Sequence, residues 1–264
     1  MSFETILTSL DNGVLTITMN RPERLNAWTY QMGDELREAV EAGNANNDVE
    51  AFVLTGAGRG FCAGADLNNV ANPSEGSGDA NAVFTGAMRA LYDSPVPTLA
   101  SVNGAAAGGG LGLALACDVV VAAESAFFVA TFGPRLGIVP DMGATWTLPR
   151  MIGRTRALGM TLLGDRISAR QAESWGLIWT AVPDNALADT TAELAARLAR
   201  SSPDAMARIR ETVDAASHND FSAQLDLEMD HQAVLIPQNM QAAAQAFVEK
   251  REPAFDSRRR RRES

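Results

Sequence analysis

The chain has 264 residues, 46% of them apolar, with 22 basic against 32 acidic side chains and a formal net charge of −10. That length can bury a sizeable core, as one large domain or as a core with an appendage. The acidic balance argues against a nucleic-acid surface, which needs a basic face to follow phosphates.

Asn12-Gly13 is a hairpin-turn signal, so a strand is expected before it. The stretch "VLTITMN" (Val14 to Asn20) alternates and is β-branched, so a strand is expected after it, ended by Arg21-Pro22. Thr29 to Ala45 has a helical period, with Met32, Leu36, Ala39 and Val40 on one face. "AFVLTG" (Ala51 to Gly56) reads as a short buried strand, followed by a loop through "AGRGFCAGADL". Pro73 to Asp79 is rich in Ser and Gly and reads as a mobile surface connection. A helix is expected over Ala82 to Tyr92, a strand over "TLASVNG" (Thr98 to Gly104), a helix over Gly109 to Cys117 and a strand over Val119 to Ala123. This alternation argues for βα units and a mostly parallel α/β sheet.

From Leu187 the pattern is helical only: Leu187 to Ala199, Pro203 to Ala216, Phe221 to Val234 and Asn239 to Lys250. Pro203 and Pro237 are placed in first turns, where proline is tolerated. Arg258 to Arg262, in "SRRRRRES", read as a solvated end. The N-terminus has no basic region ahead of an apolar block, and the longest apolar run, Leu111 to Ala123, contains Asp118. Neither a secretory signal nor a membrane span is expected, and a cytoplasmic location is. Cys62 and Cys117 form no CxxC pair, so no disulfide framework is expected.

Several chemistries lack their residues. His218 and His231, the only histidines, lie in the helical end, away from the glycine loops, which leaves no Ser-His-Asp or Cys-His arrangement. No His/Cys/carboxylate cluster has metal-ligand spacing, and no GxxxxGK[ST] phosphate loop is present. Gly108 and Gly110 begin a GxGxxG pattern, but its third glycine position holds Leu113, so a dinucleotide is not expected. Two loops remain: "GRGFCAGADL" (Gly58 to Leu67) and "NGAAAGGGLG" (Asn103 to Gly112). Each leaves bare backbone after a strand, where α/β sheets bind ligands. Two N–H groups from separate loops make an oxyanion hole. Turn chemistry and close packing are the competing reading.

With "RPERLNA" (Arg21 to Ala27) upstream and "LGIVPDMGATWTLPRMIG" (Leu136 to Gly153) downstream, "FCAGADL" and "NGAAAGGGLGLALACD" resemble the crotonase, or enoyl-CoA hydratase/isomerase, family. The resemblance runs over nearly the whole chain, ending near "AFVEKREPAF" (Ala246 to Phe255). It implies an α/β spiral of ββα units with a helical C-terminal region. Residues 1–195 would form the acyl-CoA-binding core, 196–257 a trimerisation region and 258–264 a disordered tail. It implies a homotrimer or homohexamer acting on an acyl-CoA thioester, with no metal and no cofactor beyond the coenzyme A of the substrate. The backbone N–H groups of Ala65 and Gly109 would hold the thioester oxygen, one such donor being worth roughly 3 kcal/mol at the transition state. The helix after Gly109 would aim its positive end at the same oxygen. Leu25, Ala27, Ala63, Asp66 and Leu67 would line the CoA side, and Phe247 and Lys250 would reach CoA from a neighbouring subunit. Ordinary packing or exposure is the alternative for each of these side chains.

The sequence departs from the hydratases of that family, which position water with two glutamates. The matching places here are Gly112 and either Phe132 or Gly133, none of which can act as acid or base. Asp141, after Pro140, stands where the isomerase branch places its single acid/base, and the run "PDMGATWTLPRMIG" is most similar to the bacterial epoxyphenylacetyl-CoA isomerases. An Asp just ahead of a helix also fits an N-cap to the amides of Met142 to Thr145, which would lower its pKa. A double-bond isomerase is therefore expected, with a hydratase and a non-catalytic acyl-CoA binder as rivals. Cys62 is expected to be packed, Asp66 to orient its loop and Arg135 to face solvent. Trp28, Phe84, Met142 and Trp146 are assigned to the core or the acyl pocket. Acyl preference would be set by Val70 to Met88.

Overall fold

In the computed structural model, which describes residues 3–68 and 80–256, the Asn12-Gly13 turn folds β1 (Ile6–Asp11) back on β2 (Val14–Met19). Both turn residues have positive φ, 48° and 81°, the backbone a two-residue hairpin turn requires. Next to β2 lie β3 (Ala51–Gly56), β5 (Thr98–Val102), β7 (Val119–Ala123) and β10 (Thr180–Val182), all parallel, completing a six-stranded sheet. Every residue of β5 is buried, as expected for a parallel strand covered on both faces. Helix α1 (Tyr30–Ala45) starts at Thr29, whose side chain accepts the Met32 N–H at 3.1 Å. Its apolar face carries the expected Met32, Leu36, Ala39 and Val40, all buried, and it packs on α2 (Ala80–Tyr92).

A second, four-stranded sheet is built from very short strands: β4 (Gly60–Cys62), β6 (Ala105–Ala107), β8 (Phe127–Val129) and β9 (Ile167–Ser168). The first three run parallel, and β9 is antiparallel to β8. Strands of two or three residues leave no periodicity, and the loop expected through "AGRGFCAGADL" holds β4. They complete the repeating unit. A long strand of the first sheet is followed by a short strand of the second and then by a helix: β3, β4, α2, and β5, β6, α3 (Gly109–Leu115). Further along come α4 (Ala144–Leu163), interrupted at Gly153 (φ 77°, ψ 161°), and α5 (Ala169–Trp175).

The C-terminal helices are α6 (Leu187–Ala199), α7 (Pro203–Ala215) and α8 (Phe221–Glu249). The two helices expected over Phe221 to Val234 and Asn239 to Lys250 are one. Pro237 lies inside α8 rather than in a first turn. A proline's φ is compatible with a helix, and the cost is one lost N–H···O bond plus local crowding. Lys250 is the left-handed C-cap (φ 53°), not a helical residue. The expected boundary after residue 195 falls within α6, whose Thr191 hydroxyl meets Ser101 of β5 at 2.8 Å. The connection Pro73 to Asp79 and the run Arg258 to Arg262 lie outside the described residues. No helix among the described residues is long and apolar enough to cross a membrane.

One cluster ties the helical end to the sheet. Arg210 of α7 pairs with Asp118 at 2.6 Å and donates to the carbonyls of Tyr92, at 2.5 Å, and of Ser94. Asp118 also accepts the Thr98 N–H at 2.7 Å and its hydroxyl at 3.0 Å. Burial raises the Asp118 carboxyl above its ordinary range, with Arg210 and Thr98 pulling the other way. Removing one partner of a pair with little solvent leaves an uncompensated charge. Arg210→Ala is therefore expected to lower the unfolding free energy by about 3 kcal/mol in denaturant titration, whereas a loss under about 1 kcal/mol would place the pair with ordinary surface bridges.

Candidate active site

The parallel register Cys62↔Ala106 and Ala107↔Val129 lines up the C-terminal ends of β4, β6 and β8. The chain leaves all three strands into one cavity of about 320 Å³. After β4 come Ala63, Gly64, Ala65 and Leu67; after β6, Gly108 and Gly109; after β8, the segment from Thr131 to Met142, which includes Phe132, Arg135 and Asp141. Trp28 and Phe84 close the remaining side, with their rings stacked 6.1 Å apart.

Two amides at this mouth have no partner among the described residues. The Trp28 N–H donates to the Gly64 carbonyl at 2.7 Å, and the Asp66 N–H to the Trp28 carbonyl at 2.8 Å. Ala65 lies between these bonds, and its N–H has no partner among the described residues. Gly108 donates to Val129 at 2.9 Å and Leu111 to Gly108 at 3.0 Å, while the Gly109 N–H, first in α3, has no partner among the described residues. The loops touch: a Cβ built on Gly64 would stand 3.4 Å from the Gly109 nitrogen.

The glycine run divides its tasks. Gly108 has φ 52° and ψ −121°, a backbone that excludes a side chain. A Cβ on Gly110 would stand 2.2 Å from the Cys62 carbonyl oxygen, so that glycine lets α3 pack on β4. A Cβ on Gly112 would stand 2.3 Å from the Met142 carbonyl oxygen. At Gly109 a Cβ would meet only the Met142 Cγ, at 3.4 Å. The turn and close packing thus explain most of the run, while Gly109 offers the amide without a steric need for glycine. Helix α3 has only seven residues, so its positive end amounts to its first free N–H groups.

Polar side chains that the sequence reading passed over hold these loops. Asn26 is fully buried at φ 56°. It accepts the Arg21 N–H at 2.9 Å and donates to the carbonyls of Ala57 at 3.0 Å and Gly60 at 2.8 Å. Asn103 donates to the carbonyls of Gly56 at 2.8 Å and Gly58 at 2.9 Å. Arg21 donates to the Ala27 carbonyl at 2.6 Å and pairs with Asp66 at 3.0 Å. Asp66 also accepts the Asn68 N–H at 3.2 Å, which fits the loop-orienting role expected for it. The available signal was a pair of asparagines beside turns, a residue type that tolerates left-handed backbone and bonds nearby main chain.

Asp141 is not an N-cap. Helix α4 starts at Ala144, Gly143 is its cap residue, and no side chain caps it. Left-handed backbone at Met142 (φ 49°) and Gly143 (φ 75°) inserts a turn between the carboxylate and the helix. The Ala144 N–H instead bonds the Asp141 main-chain oxygen at 3.0 Å. Asp141 lines the cavity and is exposed on its solvent side. Partial desolvation raises it above the ordinary aspartate value, against a smaller lowering by its own backbone N–H.

Ala63, Leu67, Trp28, Phe84 and Met142 line the cavity, and Arg135 lines it while remaining exposed. Trp146 does not; it meets Tyr92 edge-on at 5.5 Å and carries Arg150 over its ring at 4.1 Å. Leu25 and Ala27 sit beside the cavity rather than in its wall, linked by the Ala63 N–H bond to the Leu25 carbonyl at 3.0 Å. Phe247 is 85% exposed at the end of α8, and neither it nor Lys250 lines this cavity within one chain.

Residues 9–258 match the family model described as enoyl-CoA hydratase/isomerase. The chain is 43% identical to the 1,2-epoxyphenylacetyl-CoA isomerase of Escherichia coli (strain K12), over 96% of this chain and 98% of that one. It is 42% identical to a protein of Rhodobacter capsulatus named "Probable enoyl-CoA hydratase", over 98% and 100%. A crystal structure of an enoyl-CoA hydratase from Polaromonas sp. JS666 superposes with a TM-score of 0.88 at 32% identity, covering 95% of this chain and 99% of that one. The chain belongs to the enoyl-CoA hydratase/isomerase family and has its crotonase fold.

Cys62 lies beside the cavity but is buried, and burial pushes its thiol up to about 11; Cys117 is likewise buried and pushed up to about 12. A thiolate is the reactive form. A thiol reagent at pH 8 is expected to label neither cysteine of the native protein and both after denaturation. Rapid native labelling at Cys62 would contradict this picture of a packed, inert residue.

Proposed function

We propose that this member of the enoyl-CoA hydratase/isomerase family is an acyl-CoA isomerase that moves an enoyl double bond, with Asp141 carrying the proton and the Ala65 and Gly109 amides holding the thioester oxygen. The observation that carries this reading is the acid inventory of the cavity. Among the described residues lining it, Asp141 is the only carboxylate.

One such group suffices for a 1,3-shift. The Asp141 carboxylate takes a proton from C2 of a 3-enoyl thioester. The C–H electrons move into the C1–C2 bond, and the carbonyl electrons come to rest on the thioester oxygen. The two amides stabilise that oxyanion, which is stronger than the carbonyl as an acceptor. The enolate then collapses, the double bond moves to C2–C3, and the Asp141 acid returns its proton to C4. No oxidant, metal or second cofactor enters the balance. A raised carboxyl is the better base for such a weak carbon acid.

Addition of water needs further groups to orient and activate it. The names of several relatives support that reading, but Gly112, Phe132 and Gly133 offer no carboxylate. Trp28, Phe84 and Met142 supply an apolar, partly aromatic wall for the acyl group. That wall suits an aryl thioester of the kind named for the Escherichia coli relative. The chain is proposed to assemble as a homotrimer or homohexamer in the cytoplasm. Leu162, Leu163, Val213 and Met229 form exposed apolar ground on α4, α7 and α8 that self-association would cover. Assembly would also carry Phe247 and Lys250 toward the CoA of a neighbouring subunit.

The test is product analysis with a 3-enoyl-CoA and, separately, a 2-enoyl-CoA. The native protein is expected to convert the 3-enoyl ester to its conjugated isomer, and Asp141→Asn to lose about a thousandfold in kcat with little change in KM. As pH falls through the raised Asp141 pKa the base becomes protonated. The acid limb of kcat/KM should therefore lie above the ordinary aspartate range and vanish in the variant. Fast hydration of the 2-enoyl ester, unaffected by Asp141→Asn, would overturn the assignment.

A further inference from the structure

We propose that Gly112 and Met142 form a backbone latch that holds Asp141 at the cavity, so that the absence of a side chain at 112 is a condition for using Asp141 as proton carrier. This rests on the reading of Asp141 given above, and the variants below separate the two claims.

Two locally unfavourable features meet at one contact. Gly112 lies inside α3, all of whose later residues are buried, and glycine is a poor interior helix residue. Met142 holds φ 49°, a left-handed conformation rare for a residue of its kind. The two touch. A Cβ on Gly112 would stand 2.3 Å from the Met142 carbonyl oxygen and 2.6 Å from its Cβ, distances that real atoms do not keep. The Met142 side chain continues along the same helix, with its Cγ 3.4 Å from the place of a Gly109 Cβ. Met142 is thus seated on α3 by its main chain at 112 and by its side chain at 109.

Asp141 precedes this seat by one residue. Pro140 restricts the chain before it, and Gly143, at φ 75°, turns the chain into α4 after it. Any side chain at 112 has to push the 141–143 segment off α3, because the obstructing atoms are main chain and cannot rotate away. The two arrangements exclude each other: a side chain at 112, or Asp141 seated where it is. Strain kept at such a position is a mark of function when the surroundings hold it in place. Arg135 is the other charged side chain lining the cavity among the described residues, and the Arg21–Asp66 pair stands on the adjoining loop.

Gly112→Ala tests the latch in the full-length assembled protein. The clash with Met142 outweighs alanine's advantage as a helix former, so the melting temperature is expected to fall by a few degrees while CoA-ester binding holds, with KM within about threefold. The kcat should fall about a hundredfold, the scale of a misplaced reacting group. The acid limb of kcat/KM should move down toward the ordinary aspartate range as the displaced carboxyl hydrates. A second pair does not depend on that variant folding. Met142→Val, β-branched and ill-suited to left-handed backbone, should lose several times more kcat than Met142→Asn, which tolerates it. Native kcat and an unmoved acid limb in Gly112→Ala, with Asp141→Asn inactive, overturn the latch and leave the proton-carrier reading standing. Full activity in Asp141→Asn overturns that reading instead. Equal kcat in Met142→Val and Met142→Asn overturns the latch on its own.

Discussion

The parallel pairing of β4, β6 and β8 governs the rest of the molecule's chemistry. Each strand is three residues long, and each would be worthless alone. Paired in register, they bring three chain exits to one place and point them the same way. The free amides of Ala65 and Gly109 and the carboxylate of Asp141 come from these three exits in turn. Backbone hydrogen bonds between neighbours therefore fix the relative positions of amides 44 residues apart in sequence, those of 65 and 109. A group fixed by main-chain pairing has few rotamers to lose when substrate arrives, which is what preorganised donors require.

Such short strands need help to keep their turns, and polar side chains give it. Asn26 and Asn103 bind the carbonyls of the β3–β4 turn from two sides, and Arg21 ties the segment before α1 to Asp66 beyond β4. These residues touch no reacting atom in this scheme. The two asparagines satisfy carbonyl groups of the turn between β3 and β4 and of the glycines that flank it, Gly56 and Gly60. The glycines answer the complementary need. Gly108 permits the turn, and Gly110 and Gly112 permit contact between main chains.

Much of this could be read from the residues. The long strands, α1, α6 and the turn at Asn12-Gly13 carry period or turn chemistry within their own sequence, and their limits agree with the structure to within a residue or so. The motif loops declared themselves through small residues after β-branched runs. The second sheet did not, because three residues cannot show a period of two. Pro237 misled, since proline marks a helix start far more often than a helix middle. At Asp141 it is the N-cap alternative that fails. An Asp two or three residues ahead of a helix looks like a cap, and only the left-handed backbone at Met142 shows that the helix starts too late to use it. Trp28 and Phe84 reached the cavity while Trp146 did not, a distinction that depends on which face of a helix or loop is covered by distant chain.

The stack of Trp28 on Phe84 adjoins the loop after β4 through the Trp28 main chain, which bonds Gly64 and Asp66 on either side of Ala65. Trp28 enters from the segment before α1, and Phe84 from α2, a pair of helices packed on each other. On the proposed function, the aromatic part of the acyl wall and the proton carrier thus come from different elements, with Met142 shared between them. On the proposed function, a lineage carrying this scaffold can exchange one acyl preference for another by small steps at Phe84 of α2, a helix that contributes neither amide, while the oxyanion donors carry over as main chain.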